Sequence, residues 1–513
     1  MNNKEAPMSD PKTKYDVVLA NGRVIDPETY MDGKFNVGIN GGQIAAVSDQ
    51  PLEGKEVIDA SGMIVSPGFI DTHSHGMTIP SNRIQAFDGL TTALELEAGV
   101  LPVGEFYDNC AKEGRPINYG VSSGWGFARC VTMSPELAVD GKPVPDAEYI
   151  FPKFSVKEWT EEVSTEKQLE EILRMTEQGI KEGGIGIGML WGYAPGAGLK
   201  ELHAIWELAA KYNVPTYTHI QNLSTLDPNS GVRSMIELIG LAAATGAHTH
   251  VCHWNSTSLR DIPTIRDMVK KAQDSGLRVT TEAYVYGAGS SAIGAAEFNP
   301  SDVEQRMSVH WEDFTLVRNN QQFTSKADFV ADRDAHPGDA VVIHFLDEEN
   351  NPHDASLLDM SVLFPGTAIC TDAIPWVDAK GAFYKGSEWP LPKGLQSHPR
   401  AAGNYSRFMR RWVRERKVLS WMDAIRQASL NACLILGECA PALQKKGRLQ
   451  EGMDADIVVF DPETITEKGT FTEPCQLSVG MKHVMVNGTF LIRDEKLDTK
   501  AMPGQPVRGQ IRK

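Results

Sequence analysis

Two histidines separated by a single residue are the first side chains along the chain that can do metal chemistry. His73 and His75 lie in the run GFIDTHSHG. In a β-strand, residues i and i+2 point to the same side, so both imidazoles can face one point at the end of a strand. Imidazole is a good ligand for zinc and similar divalent metals. A lone HxH pair also fits two unrelated histidines, so the metal hypothesis depends on the rest of the chain.

Further candidates close other apolar runs. His219 ends VPTYTH, His253 ends THVCH, and Asp372 ends AICTD. In parallel barrels the catalytic groups lie at the C-terminal ends of the strands. A carboxylate at such a position can bind a metal and carry a proton, although Asp372 taken alone also suits a helix N-cap. Four histidines and one aspartate at the ends of separate strands predict a shared metal site.

Two acidic residues interrupt the apolar run TTALELEAG. Glu95 and Glu97 are two positions apart and therefore share one face of a strand. Burying carboxylates in such a run is costly unless they are paired or bound to a cation. The pattern predicts an interior cation, with Glu97 as the expected ligand because it lies nearer the C-terminal end, and Glu95 as the alternative.

Two more histidines, His248 and His250, precede His253 in GAHTHVCHW. Strand alternation places them on the opposite face from His253. We therefore expect both of them to face the surrounding helices rather than the site.

The elements that must position these residues alternate between strands and helices. Amphipathic patterns such as LKELHAIWELAAKY separate several of the strand-like runs, which are GLTTALELEAG, GGIGIGML, VPTYTHIQ, GAHTHVCHW, LRVTTEAYVYG, DAVVIHFL and GTAICTDAI. This alternation is typical of the α/β class with a parallel sheet, and it predicts a (β/α)8 barrel of the TIM type over residues 67–440. Residues 287–340 break the rhythm and predict a loop-rich insertion.

Both ends of the chain are typical of β structure. YDVVLANGRVID and KFNVGINGGQIAAVS near the start, and ADIVVFDPET and HVMVNGTFLI near the end, are apolar runs with Asn-Gly or Gly-Gly turn signals. We expect residues 13–66 and 441–495 to form one small β-sandwich domain built from both ends. Residues 1–12 and 500–513 are expected to be mobile tails.

The bulk properties exclude several classes of protein. A chain of 513 residues is too long for one ordinary domain, and its formal net charge of −17 argues against a nucleic-acid partner. No apolar run is long enough for a membrane span or a signal peptide. The seven cysteines are scattered, with no CxxC pair, which favours a reducing cytoplasm. We expect an acidic cytoplasmic enzyme with neither a nucleic-acid nor a membrane partner.

With these motifs in order, the sequence resembles the amidohydrolase superfamily and, within it, the D-aminoacylase (N-acyl-D-amino-acid deacylase) branch. The resemblance runs from about Tyr15 to Leu491 and rests on GFIDTHSHG, GMLWGYAPG, YTHIQN, VCHW, TEAYVYGAGSS, CTDAIP, HPRAAGNYSRF and GRLQEGMDADIVVFDP. It implies a metal-dependent hydrolase that cleaves N-acyl amino acids, above all N-acyl-D-amino acids, with one or two Zn²⁺-like ions. Because many relatives associate, it also implies a homo-oligomer.

The resemblance also assigns roles to individual residues. It implies that His73 and His75 bind one metal, that His219 and His253 bind the other, and that Asp372 is both a ligand and the catalytic carboxylate. The residues that it matches to the binding of the substrate's α-carboxylate are Arg400, Tyr284 and Ser290. An arginine suits this task because it can donate two parallel hydrogen bonds to a carboxylate.

Three departures from the branch affect these assignments. The metal-binding cysteine of the family falls at Ala98, so Glu97 or Glu95 is expected to replace it. The family's lysine after VCH is Asn255, which removes a positive contact to the substrate at a substrate-binding position. The segment between Asp372 and His398 is also long, which is expected to reshape the pocket mouth.

Two alternatives stay open at this point. A cyclic-amide hydrolase of the hydantoinase or dihydroorotase kind often carries a carbamylated lysine between two metals, and the sequence has no strand-end lysine in the expected place. A non-catalytic scaffold of the same fold would be expected to lose metal ligands, whereas the four histidines and Asp372 are all present.

Overall fold

The computed structural model describes residues 14–512. The predicted tail at 1–12 and the first residue of the predicted small domain lie outside this range. The described chain begins with five strands, β1 (Tyr15–Asp26), β2 (Met31–Asn40), β3 (Gln43–Ser48), β4 (Gly54–Asp59) and β5 (Ile64–Pro67). The Asn21-Gly22 pair does not end a strand as we expected. It forms a bulge inside β1, where the register to β2 shifts, and Asn21 adopts a left-handed φ of 63°.

The barrel follows directly. Its first seven strands are β6 (Phe69–Asp71), β7 (Leu90–Val100), β8 (Asn118–Gly124), β9 (Ile187–Leu190), β10 (Thr216–His219), β11 (Thr249–Val251) and β12 (Val279–Ala283). Neighbouring strands pair in parallel and in chain order. All of β7 and β8 is buried. The sequence prediction missed β8, NYGVSSG, because its glycines and serines hide the apolar pattern of a buried strand.

Helices cover the outside of these strands. They are α1 (Ile79–Phe87), α2 (Val103–Glu113), α3 (Trp125–Met133), α4 (Lys157–Thr160), α5 (Glu166–Lys181), α6 (Leu199–Tyr212), α7 (Gly231–Thr245), α8 (Trp254–Ser258) and α9 (Ile262–Asp274). The longer ones bury only one face, as α5 and α9 do. This is the pattern expected of helices that pack on a sheet.

A second, antiparallel sheet is inserted after β12. It consists of β13 (Ala288–Ala292), β14 (Phe314–Leu316), β15 (Gln321–Gln322) and β16 (Ala340–His344), paired in the order β13-β16-β14-β15. Two helices, α10 (Val303–Met307) and α11 (Lys326–Ala335), lie within the same segment. The run DAVVIHFL, which we expected in the barrel, contains β16 and belongs to this sheet instead. That prediction was wrong because an apolar run does not reveal which sheet will pair with it.

After α12 (Pro352–Val362), the eighth strand β17 (Ala368–Ile369) pairs with β12. Hydrogen bonds from the residues just after β17 to residues at and after the end of β6 close the gap between these two strands. Asp372 donates its backbone N–H to the carbonyl of His73 at 2.7 Å, and Thr371 donates its backbone N–H to Asp71 at 2.9 Å. The predicted α/β class and (β/α)8 barrel are confirmed.

The chain then returns to the small domain. It passes through α13 (Arg400–Phe408), α14 (Trp421–Ile425) and α15 (Asn431–Leu436), with π-helical turns at Met409–Glu415 and Arg426–Leu430, and ends in β18 (Ile457–Phe460), β19 (Met481–Val486), β20 (Thr489–Arg493) and β21 (Lys496–Leu497). These last strands join β5, β1, β2 and β3 in one nine-stranded sheet, with β4 paired to β1. The sheet surrounds its own core, separate from that of the barrel.

The last described residues pack on the barrel, contrary to the mobile tail that we expected there. Val507 is fully buried, and its carbonyl accepts a hydrogen bond from the Tyr107 hydroxyl at 2.7 Å. Gln505 and Val507 make backbone hydrogen bonds with Tyr119 in β8. Within residues 14–512, no helix is both long and apolar enough to cross a membrane.

Candidate metal centre

The six predicted ligands converge at one end of the barrel. One of them lies within β7 and the others at or just beyond the C-terminal ends of β6, β10, β11 and β17; they are Glu97, His73, His75, His219, His253 and Asp372. Their side chains are almost completely buried. The arrangement matches the general position of catalytic groups in parallel barrels.

The first group of donor atoms joins the β6 and β17 ends. The Nε2 atoms of His73 and His75 lie 3.2 Å apart, and Asp372 Oδ1 lies 3.5 Å from the first and 3.4 Å from the second. Glu97 Oε2 lies 3.3 Å from His73 Nε2. Two imidazole nitrogens and two carboxylate oxygens thus face one point.

The second group uses the other oxygen of the same glutamate. Glu97 Oε1 lies 3.1 Å from His219 Nδ1 and 2.7 Å from His253 Nε2. One carboxylate therefore stands between the two groups, with one oxygen directed to each. The donor atoms of His73, His75 and Asp372 lie within 4.8 Å of one another, as do those of His73, Glu97 and His253. Nitrogen and oxygen donors at this spacing fit a pair of divalent ions.

Buried carboxylates fix the two histidines of the first group from behind. His73 Nδ1 lies 2.6 Å from Glu282 Oε1, and His75 Nδ1 lies 2.6 Å from Glu95 Oε2. Each carboxylate can accept an Nδ1 proton, and the Nε2 of each ring is the nitrogen that faces the site. Glu95 therefore lies behind His75, whereas Glu97 faces the donor cluster.

An irregularity in β7 aims Glu97 into the site. Glu95 pairs with Val121 of β8, and the next pair joins Val100 to Ser123. Strand β7 therefore has more residues than β8 between these two pairs. Bulges of this kind commonly redirect side chains beside active sites. Gly188 on β9 makes room for the bulge, because a Cβ at that position would lie 2.4 Å from the Glu97 carbonyl oxygen.

Two of the converging residues have strained backbones. His253 has a φ of 27° and Asp372 a φ of 49°, both in the left-handed region that non-glycine residues rarely adopt. Such strain persists only where the surrounding structure enforces it, and it concentrates at functional sites.

His250 faces the barrel interior, so our expectation that it faces the helices was wrong. It is fully buried, and its Nε2 lies 3.2 Å from Glu282 Oε2. Strand β11 ends at Val251, and the left-handed turn at His253 then reverses the side-chain direction. Alternation counted across this turn therefore gives the wrong face.

Asp372 lines a small cavity beside the donor cluster. The cavity has a volume of about 30 Å³ and is also lined by the predicted residues Tyr284 and Ser290, whose hydroxyls are buried without a hydrogen-bond partner. This volume is room for roughly two water molecules at about 10–15 Å³ each. The predicted residue Asn255 lies outside it and donates its side-chain amide to the carbonyls of Tyr284 and Tyr286.

Arg400 lies behind Asp372 rather than in the cavity. Its guanidinium lies 4.3 Å from the ring centre of Tyr284, and its Nη2 lies 2.7 Å from Asp372 Oδ2. Burial alone would raise the pKa of Asp372, but the Arg400 guanidinium and the His73 imidazole outweigh burial and hold that pKa below its usual value. Asp372 therefore faces the cavity as a carboxylate.

Sequence reasoning missed three residues around the site. Glu282 lies behind His73, Glu297 Oε2 lies 3.1 Å from His219 Nε2, and the Tyr193 ring lies 4.6 Å from that of His219. Glu282 had a detectable signal, because TTEAYVYG places a carboxylate inside an apolar strand as TTALELEAG does. Tyr193 lies in GMLWGYAPG, a motif of the resemblance to which no site residue was assigned, and Glu297 lies in the insertion, where no local pattern marked it.

Comparison with known proteins identifies the family. The sequence matches the Amidohydrolase family over residues 64–491. It is 26% identical to the N-acyl-D-glutamate deacylase of Alcaligenes xylosoxydans xylosoxydans, with 93% of each chain covered. It is 22% identical to the N-acyl-D-aspartate deacylase of the same organism, covering 97% of this chain and 96% of the relative.

Solved structures share the fold. The crystal structure of D-aminoacylase superposes with a TM-score of 0.74 at 19% identity, covering 97% of this chain and 100% of the other. The N-acyl-D-glutamate deacylase of Bordetella bronchiseptica, complexed with zinc and a phosphonate inhibitor, gives 0.74 at 20% identity over the same shares. The D-hydantoinase of Thermus sp. gives 0.56 at 16%, covering 97% of this chain and 99% of the other. With the family matched over most of its length and six donor side chains at the barrel mouth, this chain belongs to the amidohydrolase family.

Proposed function

We propose that this protein is a metal-dependent hydrolase that cleaves the amide bond of N-acyl-D-amino acids. The observation that carries the proposal is the position of Glu97 between two groups of imidazoles, 3.3 Å from His73 Nε2 on one side and 2.7 Å from His253 Nε2 on the other. The relatives named as D-amino-acid deacylases, which match nearly the whole chain, supply the substrate class.

The donor set suits one or two Zn²⁺ ions. His73, His75 and Asp372 would hold one ion, His219 and His253 the other, and Glu97 would reach both. Imidazole nitrogens and carboxylate oxygens are ordinary zinc ligands. A bound ion would supply an acidified water and polarise the scissile carbonyl.

Asp372 is proposed as the group that moves the proton. It lines the cavity, and its ionised carboxylate can accept a proton from the attacking water and later deliver it to the leaving amine. Arg400 holds Oδ2 at 2.7 Å, which leaves Oδ1 directed at the histidines. The guanidinium thus orients the aspartate while burial keeps other water away.

The substrate's α-carboxylate is assigned to the polar side of the cavity. The hydroxyls of Tyr284 and Ser290, which line the cavity, are both buried without a hydrogen-bond partner. A buried donor without an acceptor costs about 1–3 kcal/mol, which a bound carboxylate would recover. Asn255 holds the Tyr284 backbone in place and contributes indirectly.

The opposite wall favours an apolar amino-acid side chain. Its members are aliphatic, aromatic or sulfur-containing, namely Leu223, Phe298, Met307, Ile343 and Phe345. Among the described residues that line the cavity, none is a lysine or an arginine. An acidic side chain would be buried there without a cation, at high cost. We therefore expect N-acyl derivatives of apolar D-amino acids rather than of D-glutamate or D-aspartate.

The inserted segment supplies much of the cavity lining, through Ser290 and Ser291 of β13 and Phe298 beyond that strand. It therefore contributes to the shape of the proposed substrate pocket.

The alternatives have weaker support. A carboxylate, that of Glu97, and not a lysine stands between the two imidazole groups, and the hydantoinase fold superposes less closely. A scaffold would not be expected to keep six buried donor side chains in contact. The seven cysteines are all unpaired and six are buried, which supports a reducing compartment, the cytoplasm.

The test is a substrate panel with the zinc-loaded enzyme. We expect hydrolysis of N-acetyl-D-leucine to exceed that of N-acetyl-L-leucine, N-acetyl-D-glutamate and hydantoin. Preference for hydantoin would favour the cyclic-amide alternative. Absence of any divalent metal after metal-replete expression would favour the scaffold.

Asp372→Asn tests the proton-transfer role. We expect kcat to fall on the order of 10²–10⁴-fold, while metal content stays near that of wild type because the imidazoles and Glu97 remain. The matched control is Asp267→Asn on the exposed face of α9, which should leave both unchanged. A kcat within tenfold of wild type would contradict the role of Asp372.

A further inference from the structure

Two buried histidines outside the proposed ligand set are connected to the metal centre. His250 Nε2 lies 3.2 Å from Glu282 Oε2, and Glu282 Oε1 lies 2.6 Å from His73 Nδ1. In the other direction, the Thr280 hydroxyl lies 2.9 Å from His250 Nδ1 and 2.8 Å from His248 Nε2. The contacts form one continuous chain through the barrel interior, from its N-terminal end to the metal centre.

The Glu282 carboxylate is the common end of these contacts. Because a carboxylate can only accept, His73 Nδ1 and the Thr72 hydroxyl donate to it. His250 Nε2 lies 3.2 Å from Oε2 without the angle of a hydrogen bond. The Thr280 hydroxyl lies between His250 Nδ1 and His248 Nε2, so it can accept from one ring and donate to the other.

We infer that His250 is a positioning residue for the metal centre, acting on His73 through Glu282. Its ring contacts Oε2 of the carboxylate, the oxygen that also accepts from Thr72, which leaves Oε1 directed at His73 Nδ1. Thr280, itself in contact with His248, holds the other side of the His250 ring. The inference rests on the proposed function, because it assigns His73 as a metal ligand.

The surroundings explain why the carboxylate needs these contacts. Glu282 is 1% exposed and His250 is fully buried, so water does not replace a lost contact. Without the His250 ring, the carboxylate loses the contact that packs against Oε2 and is free to turn away from His73. Partners that hold a ligating histidine from behind typically change metal affinity about 10–100-fold when they are removed.

The experiment measures zinc affinity of the full-length protein by competition with a chelator. We expect about tenfold weaker zinc binding for His250→Phe, and about 10–100-fold weaker binding for Glu282→Gln. His250→Gln should stay within about threefold of wild type, because its amide can donate to Glu282 and accept from Thr280. His483→Phe is the control, since His483 is a buried histidine of the small domain, and it should not change zinc binding.

A double-mutant cycle separates positioning from a general loss of stability. In the Glu282→Gln background, His250→Phe should weaken zinc binding less than about twofold, because the partner through which it acts is altered. Thr280→Val, which removes the hydroxyl while preserving volume, provides a second variant if His250→Phe does not fold, and should weaken zinc binding about threefold.

The outcomes distinguish the two proposals. Two results would overturn the positioning role while leaving the proposed function intact. One is an equal loss of zinc affinity from His250→Phe in the wild-type and Glu282→Gln backgrounds. The other is unchanged zinc affinity in folded His250→Phe and Thr280→Val. A wild-type protein that binds no zinc would overturn both.

Discussion

At the scale of single residues, Glu97 is the proposed replacement for the metal-binding cysteine that the resemblance to the D-aminoacylase branch leads us to expect. The residue at the family's cysteine position, Ala98, uses its backbone N–H to bind Glu95, 3.1 Å away, and has no donor side chain. A thiolate is a soft ligand with one donor atom, whereas a carboxylate is harder and has two oxygens. This exchange should broaden the metals that the site accepts toward Mn²⁺.

Glu97→Gln tests this residue. We expect at least about 100-fold weaker metal binding at the His219 and His253 position, because the remaining charge-neutral amide is a poorer ligand. Metal content after dialysis should fall, and the loss should be larger for Mn²⁺ than for Zn²⁺. Glu158→Gln, on an exposed helix, is the control. Equal metal content in the two variants would refute the bridging assignment.

At the scale of elements, strand ends and the glycines beside them create the space for the ligands. Gly192 follows β9, and a Cβ at this position would lie 2.4 Å from His219 Cδ2 and 2.6 Å from the Ile220 carbonyl oxygen. Both contacts are closer than real Cβ atoms allow, so a larger residue must displace the ring or the backbone. Gly192, the middle glycine of GMLWGYAPG, is therefore required by the residues at the end of the neighbouring strand β10 rather than by its own loop.

Gly192→Ala should displace His219 and lower kcat/KM at least about tenfold, as misplacement of a catalytic group by a fraction of an ångström does. Gly240→Ala is the matched control. It lies within α7, where a new Cβ meets nothing within 4 Å, so activity should be unchanged and stability should rise by about 0.5–1 kcal/mol. Steady-state kinetics and thermal melting measure the two effects. Normal activity of Gly192→Ala would show that the loop adjusts.

At the scale of the whole molecule, the final residues hold the barrel from its outer side. The carbonyl of Val507 accepts from Tyr107, its N–H pairs with Tyr119, and Gly509 pairs with Gly183. This segment follows β21 of the small domain and contacts strand β8, helix α2 and the residues just after α5. We expect it to contribute to stability and not to chemistry.

Val507→Asp should lower the free energy of unfolding by at least about 2–3 kcal/mol, because it buries an unpaired carboxylate in place of an apolar side chain. Thermal melting should shift downward, while kcat at low temperature stays near wild type. The exposed Gln510→Ala is the control for changes in the same segment. An unchanged melting temperature would mean that the segment detaches readily in solution.

Much of the architecture was predictable because the relevant signals are local. Alternation of apolar strands with amphipathic helices indicated the barrel, and the β patterns at both ends indicated the shared sheet. The exceptions have physical causes. Strand β8 lacks an apolar pattern, DAVVIHFL contains one but pairs with the inserted sheet, and the Asn21-Gly22 pair forms a bulge where we expected a turn.

The sequence by itself determined the residue types: four histidines and an aspartate at strand ends, and acidic residues within an apolar run. Only the tertiary structure decided their directions. It placed Glu97 in the donor cluster and Glu95 behind His75, turned His250 inward, and brought Glu282 and Glu297 against the histidines. The reason is that spacing along a strand is a local property, whereas the direction of a side chain at a bulge or turn depends on closure of the barrel, which joins residues hundreds of positions apart.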